Sequence, residues 1–185
     1  MEPIKLRDEE RDPGFGFPDV HHGYQEPSAG AKDDAGKLRM DLIPAVAIHE
    51  LFERDILESL EGTYEGAVVP AYALVALASW RAHGSKEELV SAFANGLLFA
   101  GHGSLFEGLR EVARVLEYGA FRAPRPDGTK GYGENNWQGV PDAVRRYYAA
   151  ALRHGTAPDT HDPASGLSHW AHFACCCAFL LHLTA

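Results

Sequence analysis

The polar segment from Asp159 to His172 holds the densest set of side chains that could do chemistry. Asp162 and Ser165 are placed to cap the last predicted helix. His169 and His172 follow three residues apart, on the face that rises from that cap. Two histidines at the mouth of an otherwise apolar helix need hydrogen-bond or metal partners, because burying them unpaired is costly. The segment therefore predicts either a capped helix with satisfied core histidines or part of an active centre.

A second candidate is an acidic face on the helix predicted over residues 104–120. Glu107 and Glu111 lie four residues apart there, so both carboxylates could project towards one Mg²⁺ or Mn²⁺ ion. Exposed helices often carry such pairs without a metal, and Glu50 and Glu53 form a rival pair on an earlier helix. The spacing leaves a metal site and a solvated helix face both open.

Two cations precede a predicted helix in the segment Gly36–Pro44. Lys37 and Arg39 stand beside Asp41 just before the helix N-terminus, which is a place that suits a phosphate group. The alternative is a solvated basic lead-in. The chain has no Walker A loop, so a phosphate here would not be held in the P-loop manner.

The loop over residues 130–137 combines a cation, amides and aromatic rings. Lys130, Tyr132, Asn136 and Trp137 could stack on a base and hydrogen-bond its edge. Aromatic side chains that anchor a loop to the core give the same pattern. Both interpretations stay open from the sequence.

Composition limits the classes of partner. The chain has 185 residues, 45% of them hydrophobic, and a formal charge of −9. This is enough apolar material for one sizeable core, while an acidic surface disfavours general binding to nucleic acid or membranes. An anionic ligand must therefore be bound by a local group of lysines and arginines or by a metal ion. The longest apolar run, Ala67–Ala78, is too short for a membrane span, and the N-terminus lacks a secretory signal, so a cytoplasmic protein is expected.

The pattern of elements predicts an all-α fold, a helical bundle preceded by an irregular arm at residues 1–35. The consecutive Cys175, Cys176 and Cys177 are predicted to be small core residues, because neighbours cannot bridge one another and no zinc-type spacing occurs. Capping signals and apolar periodicity predict helices over residues 44–60, 70–82, 85–101, 104–119, 141–155 and 165–183, with a long loop over 121–139.

The motifs, taken in order, resemble the phage dATP/dGTP diphosphohydrolase family, which is related to the all-α nucleotide pyrophosphohydrolases of the MazG kind. The matching pieces cover about half of the chain: Gly36–Pro44, Glu111–Ala120, Tyr132–Trp137, Tyr148–His154 and Asp162–His172.

The resemblance implies hydrolysis of dGTP or dATP to a monophosphate and pyrophosphate, in phage purine nucleotide metabolism. It implies a Mg²⁺ cofactor, with Mn²⁺ as the alternative, and His169 and His172 as catalytic residues that orient water or a ligand. The implied metal ligands are Glu107, Glu111, Asp159 and Asp162. The implied substrate contacts are Lys37, Arg39, Asp41, Lys130, Tyr132, Asn136, Trp137, Arg153 and His154.

The same resemblance implies a purine deoxynucleotide as partner, no nucleic acid or membrane, a homo-oligomer, and the host cytoplasm as location for a phage-encoded protein. It also implies a single domain over residues 36–185. In the family, the motif ending at Pro44 runs almost directly into the helix of Glu111, whereas here residues 51–110 intervene as an insertion. This leaves open whether Glu50 or Glu111 is the functional carboxylate.

Two rival functions are considered. The dipeptide His161-Asp162 suggests a phosphohydrolase of the HD type, but Pro163 follows it directly and places it in a loop, where that motif needs a helix. The other rival is a non-catalytic phage interaction protein on the same fold. Analysis of the reaction products distinguishes a pyrophosphohydrolase from the HD type. A test for dNTP turnover distinguishes an enzyme from the non-catalytic protein.

Overall fold

The computed structural model describes residues 37–53 and 69–185. Every regular element in these two ranges is helical, which confirms the predicted all-α class. The predicted arm over residues 1–35, and any continuation of the first helix beyond Glu53, lie outside the described residues. The α-helices are α1 Ala45–Glu53, α2 Val69–His83, α3 Lys86–Ala100, α4 Leu105–Phe121, α5 Ala143–Gly155 and α6 His169–Leu183, and two 3₁₀ turns span Met40–Leu42 and Asn136–Gly139.

Helix α6 lies at the centre of the described fold. It is apolar on all sides, and it packs against α1, α3, α4 and α5. Its residues from Phe173 to Leu181 are all buried. Cys175, Cys176 and Cys177 are free thiols in this buried stretch, as predicted, and burial raises the pKa of Cys176 to about 12. The cysteines therefore act as small core residues.

The predicted serine caps are confirmed. The Ser85 hydroxyl accepts the N–H of Glu88 at 3.4 Å, and the Ser104 hydroxyl accepts the N–H of Glu107 at 3.2 Å. The prediction that Gly119 ends α4 is wrong, because the helix continues to Phe121. Gly119 keeps helical backbone angles, so nothing at that position stops the chain.

The last two helices begin later than predicted. Helix α5 begins at Ala143, two residues after the expected Pro141, and Asp142 precedes it with left-handed backbone angles. Helix α6 begins at His169, where the Ser168 hydroxyl accepts the N–H of Trp170 at 3.2 Å. Ser165, the predicted cap, instead belongs to a separate turn described with the site below.

The predicted insertion, residues 51–110, contributes to the hydrophobic core. Helices α2 and α3 lie within it, and Leu77, Leu89 and Phe93 from these helices are fully buried in the same cluster as α6. In the described ranges no single helix is both long and apolar enough to cross a membrane. Helices α3 and α4 pass that criterion only as a pair, and they are bent by 91° at their junction.

The loop after α4 folds back onto the end of that helix. The N–H of Gly131 donates to the carbonyl of Ala123 at 2.8 Å, and the N–H of Tyr132 donates to the carbonyl of Gly119 at 2.9 Å. Gly131 has a φ of +72°, and a Cβ there would lie 2.2 Å from the carbonyl oxygen of Ala120. The return of the loop thus requires glycine at this position.

Gly131→Ala is expected to lower the free energy of unfolding by about 3 kcal/mol, because it combines left-handed backbone strain with a clash against backbone atoms. Gly128 is the matched control, since its φ is +80° but a Cβ there would meet nothing within 4 Å. Gly128→Ala should cost only the strain, about 1 kcal/mol. Urea unfolding followed by circular dichroism measures both, and equal losses would show that the close approach contributes nothing.

Candidate active site

A cavity of about 480 Å³ lies between α4, α5, α6 and the loop that contains the second 3₁₀ turn. None of its described lining residues is an aspartate or a glutamate, although the chain as a whole is acidic. Two arginines, one histidine and several aromatic rings line it: Arg146, Arg153, His172, Tyr118, Tyr132, Trp137, Tyr147 and Phe179. The cavity is therefore locally basic, as an anionic ligand would require.

The aromatic side of the cavity is built on Trp137. Its ring stacks on Phe179 with centroids 4.4 Å apart, and its backbone carbonyl accepts the hydroxyl of Tyr147 at 3.0 Å. Trp137 thus anchors the 3₁₀ turn to α5 and α6, and it also lines the cavity. Both predicted roles of this aromatic loop, anchoring and ligand contact, are compatible with this geometry.

The cationic side of the cavity is built on α5. Arg146 and Arg153 are seven residues apart, which places them on one face of the helix, and both line the cavity. His172 from α6 lines it too. Arg153 was predicted as a phosphate contact, and the structure places it where it could serve as one.

A cluster of three histidines adjoins this cationic side. The Nδ1 atoms of His154 and His169 are 2.9 Å apart, and the rings of His154 and His172 stack with centroids separated by 4.6 Å. His169 is 9% exposed. Because His172 also lines the cavity, it connects the cavity to the cluster.

A short turn brings Asp162 to the same cluster. Its Oδ1 accepts the N–H groups of Ala164 and Ser165 at 3.1 and 2.9 Å, and also the Ser165 hydroxyl at 3.1 Å. Ser165 Oγ lies 2.8 Å from Nε2 of His172. Gly166, with a φ of +71°, follows the turn before α6 begins. Asp162 and Ser165 were predicted to cap α6, but they cap this turn instead, because the aspartate binds the nearest N–H groups.

Burial and hydrogen bonding determine the charge states of His154, His172 and Asp162. Burial and the neighbouring His172 lower the pKa of His154 to about 4, and burial also lowers the pKa of His172. Partial burial would raise the pKa of Asp162, but the hydrogen bonds from Ser165 outweigh it and hold that pKa below its usual range. At neutral pH the site therefore contains an ionised carboxylate beside the neutral imidazoles of His154 and His172, the forms that bind metals and accept protons.

Only one of the four predicted metal ligands, Asp162, lies in a group of described side chains that could hold an ion. Among residues 37–53 and 69–185, the ligand atoms of His154, Asp162 and His169 all lie within 4.8 Å of one another. No such group in these ranges includes the other predicted ligands, Glu107, Glu111 and Asp159. Their assignment as ligands stays a prediction.

Glu107 and Glu111 instead form ion pairs along α4. Glu107 lies 3.6 Å from Arg110, and Glu111 pairs with Arg114. Glu111 is on the helix face that continues to the cavity residue Val115 one turn later. The carboxylate of Glu111 therefore lies on a face of α4 that lines the cavity.

Glu50, the other carboxylate left open by the sequence, lies elsewhere in the core. It is 8% exposed, and one of its oxygens is 2.7 Å from the Lys86 ammonium. This contact joins α1 to the first turn of α3. The structure thus gives Glu50 a buried ion pair, whereas Glu111 lies one helical turn before a cavity residue and does not itself line the cavity.

The segment before α1 reaches the cavity through Leu42, and its charged residues approach the loop of Tyr132. Arg39 holds Asp41 through two hydrogen bonds of 2.8 and 2.7 Å and holds Glu134 through one of 2.8 Å. Its guanidinium is therefore already matched by two carboxylates. Lys37, Arg39, Asp41 and Lys130 are not among the residues that line the cavity, whereas Tyr132, Asn136 and Trp137 are.

Several cavity residues were not assigned to the site from the sequence, among them Tyr118, Arg146 and Tyr147. A signal for two of them was present, because Arg146 and Arg153 recur at helical spacing and Tyr147 is next to Arg146. The signal for Tyr118 was weaker. Its hydroxyl donates to the carbonyl of Ala164 at 2.9 Å, a contact over 46 positions that spacing does not predict.

The His161-Asp162 dipeptide lies in a loop, as predicted. His161 is exposed, and its Nδ1 is 2.8 Å from the Thr160 hydroxyl. His161 is not part of the group that contains Asp162. His161 and Asp162 thus have different environments. The HD type would need a histidine and an aspartate that are paired on a helix.

Part of the chain matches a known protein family. Residues 95–185 match the family model described as dATP/dGTP diphosphohydrolase, N-terminal. This confirms the resemblance inferred from the sequence motifs. The matched dATP/dGTP diphosphohydrolase segment includes α4, α5, α6 and the whole histidine cluster, and it does not extend to Gly36–Pro44. No curated protein and no solved structure matches the chain.

Proposed function

We propose that this protein hydrolyses purine deoxynucleoside triphosphates, dGTP or dATP, to the monophosphate and pyrophosphate in a reaction that depends on a divalent cation. The observation that carries the proposal is a cavity with aromatic walls, two arginines and no described carboxylate, directly beside a cluster of histidines and one aspartate. The family description supplies the nucleotide class. The volume, about 480 Å³, lies in the range of small-molecule sites.

The two sides of the cavity would bind the two ends of the nucleotide. Trp137 and Tyr132 offer ring faces to a purine, and the Asn136 amide can hydrogen-bond its edge. Arg153 and Arg146 would hold the phosphate oxygens, which they can contact through paired N–H donors. This orientation brings the triphosphate towards His172.

Hydrolysis requires water to attack the α-phosphorus while the bond to the α,β-bridging oxygen breaks. Pyrophosphate leaves, and the proton of the attacking water must be accepted. His172 is suited to accept it, because it lines the cavity and its lowered pKa keeps it neutral. A divalent cation, when bound, neutralises phosphate charge and polarises the water.

A panel of dNTPs, incubated with Mn²⁺ or Mg²⁺, tests the proposed reaction. We expect dGTP or dATP to be the best substrate, with pyrophosphate and the monophosphate formed in equal amounts. Chromatography separates these products from tripolyphosphate and nucleoside. Release of tripolyphosphate would instead indicate the HD type of reaction, and no turnover of any dNTP would favour a non-catalytic protein.

Arg153→Met is expected to raise KM for the best dNTP by about 10- to 100-fold, because it removes charge-assisted hydrogen bonds to phosphate. Arg145→Met is the matched control on the same helix. The Arg145 side chain is 75% exposed and contacts Asp142 at 3.3 Å, and it does not line the cavity. Steady-state kinetics should leave the Arg145 variant near wild type. Equal effects of both substitutions would place the phosphates elsewhere.

A further inference from the structure

His154, Asp162 and His169 come from three different parts of the chain. His154 lies in the last turn of α5, Asp162 in the turn before α6, and His169 is the first residue of α6. One ligand atom from each lies within 4.8 Å of the others. Convergence of two imidazoles and a carboxylate from separate elements is typical of metal centres more than of helix capping.

The separation of the two imidazole nitrogens fits a shared metal ion. Two nitrogens bound to one ion at about 2.1 Å lie roughly 3.0 to 3.4 Å apart, for bond angles between octahedral and tetrahedral. The Nδ1 atoms of His154 and His169 are 2.9 Å apart. A displacement of a few tenths of an ångström would therefore replace the shared proton by a metal.

The carboxylate of Asp162 is held in place for the same role. Its Oδ1 receives the three hydrogen bonds from Ala164 and Ser165, whereas Oδ2 receives none of these three. The N–H of Asp162 donates to the carbonyl of Leu167 at 2.8 Å, and the N–H of His169 donates to the carbonyl of Thr160 at 3.1 Å. The backbone around both ligands is thus fixed, as the outer contacts of metal sites usually are.

We propose that His154, Asp162 and His169 bind one divalent transition-metal ion, with Mn²⁺ preferred to Mg²⁺. Two imidazoles and one carboxylate form a ligand set of the type that leaves further positions open, and Mg²⁺ disfavours nitrogen ligands. His172 stacks on His154 and lines the cavity, so the ion adjoins the cationic side of the cavity. A role of this ion in hydrolysis rests on the proposed function, whereas its binding to these three residues does not.

Mn²⁺ titration of the full chain, stripped with chelator and free of nucleotide, tests this site by electron paramagnetic resonance. We expect one tightly bound ion per chain. His154→Gln and His169→Gln should each weaken binding by about 100-fold. The matched control is His161→Gln, an exposed histidine of the same loop, which should bind Mn²⁺ like wild type. Glu111→Gln should also retain the ion, since Glu111 is not in the converging group.

A second readout does not depend on whether the variants fold. Pulsed paramagnetic resonance of Mn²⁺ on the wild-type chain should show couplings to imidazole nitrogen. Bound Mn²⁺ without nitrogen coupling, loss of the ion in the Glu111 variant, or no nucleotide-free binding at millimolar Mn²⁺ would each overturn the proposal. Nitrogen-coupled Mn²⁺ on a chain that hydrolyses no dNTP would retain this site and reject the proposed function.

Discussion

Asp162→Ala is expected to lower kcat for dNTP hydrolysis by about 1,000-fold or more. The substitution removes the carboxylate that adjoins His154 and His169, and it also removes the acceptor of the N–H groups of Ala164 and Ser165. Loss of a group that acts on the reacting water or its ligands usually costs a factor of this size. Initial-rate measurements of pyrophosphate release test the change.

Two further variants separate the charge of Asp162 from its structural role. Asp162→Asn keeps an oxygen that can accept the same backbone N–H groups, so the turn should persist while turnover is still lost. Asp159→Ala is the control in the same loop, because Asp159 is exposed and lies outside the converging group. Near-normal turnover is expected for it. An equal loss in the Asp159 variant would favour the pair of carboxylates inferred from the sequence over the histidine-containing group.

Phe173→Ala is expected to lower the free energy of unfolding by about 3 to 5 kcal/mol, as is usual when a buried phenylalanine is truncated. Phe173 has no exposed surface, and its ring lies 5.1 Å from that of Trp170. A Cβ at Gly96 would be 2.8 Å from this ring, and one at Gly155 would be 3.0 Å from it. The ring therefore fills the space where α3 and α5 approach α6, and truncation leaves a cavity there.

Phe106→Ala is the matched control for that loss. Phe106 is 70% exposed on α4 and stacks only loosely on Phe52, with ring centroids 6.2 Å apart. Its truncation should cost about 1 kcal/mol or less. Guanidinium unfolding of both variants provides the comparison. If Phe173→Ala were no more destabilising than Phe106→Ala, α6 would not be the centre of the core.

Local signals in the sequence were sufficient for the helices that begin with Ser85 and Ser104. In each, the serine hydroxyl accepts an N–H from three residues later in the chain, and this contact fixes the start of the helix. The start of α6 was harder to predict, because Ser165 and Ser168 offer the same signal three residues apart. Asp162 accepts the N–H of Ser165 in a separate turn, so the helix begins after Ser168. Helix propensity alone does not predict this competition between a side chain and the helix.

The individual site residues were easier to predict than their grouping. Asp162 was singled out as a helix cap, and His169 and His172 were singled out because polar groups on an apolar helix need partners. The partner of His169 proved to be His154, which had been assigned to the substrate instead. Their contact depends on how α5 packs against α6, and side-chain spacing within one helix contains no information on that packing.

Charge alone did not predict the contacts of the segment before α1. Arg39 near a helix N-terminus suggested a phosphate site, but its guanidinium lies between Asp41 and Glu134. Glu134 is 95 positions away in the sequence, so this pairing depends on the loop that Gly131 returns to α4. The segment therefore has an observed structural role, which is to join the region before α1 to the loop of the cavity.

We infer that the aromatic and cationic cavity and the group of His154, Asp162 and His169 form one nucleotide site. The most direct measurement is pulsed paramagnetic resonance of the Mn²⁺-loaded chain with a dGTP analogue whose α,β-bridging oxygen is replaced by CH₂. We expect phosphorus couplings to appear on addition of the analogue while the nitrogen couplings persist. Saturating analogue without phosphorus coupling, or with loss of the nitrogen coupling, would contradict it.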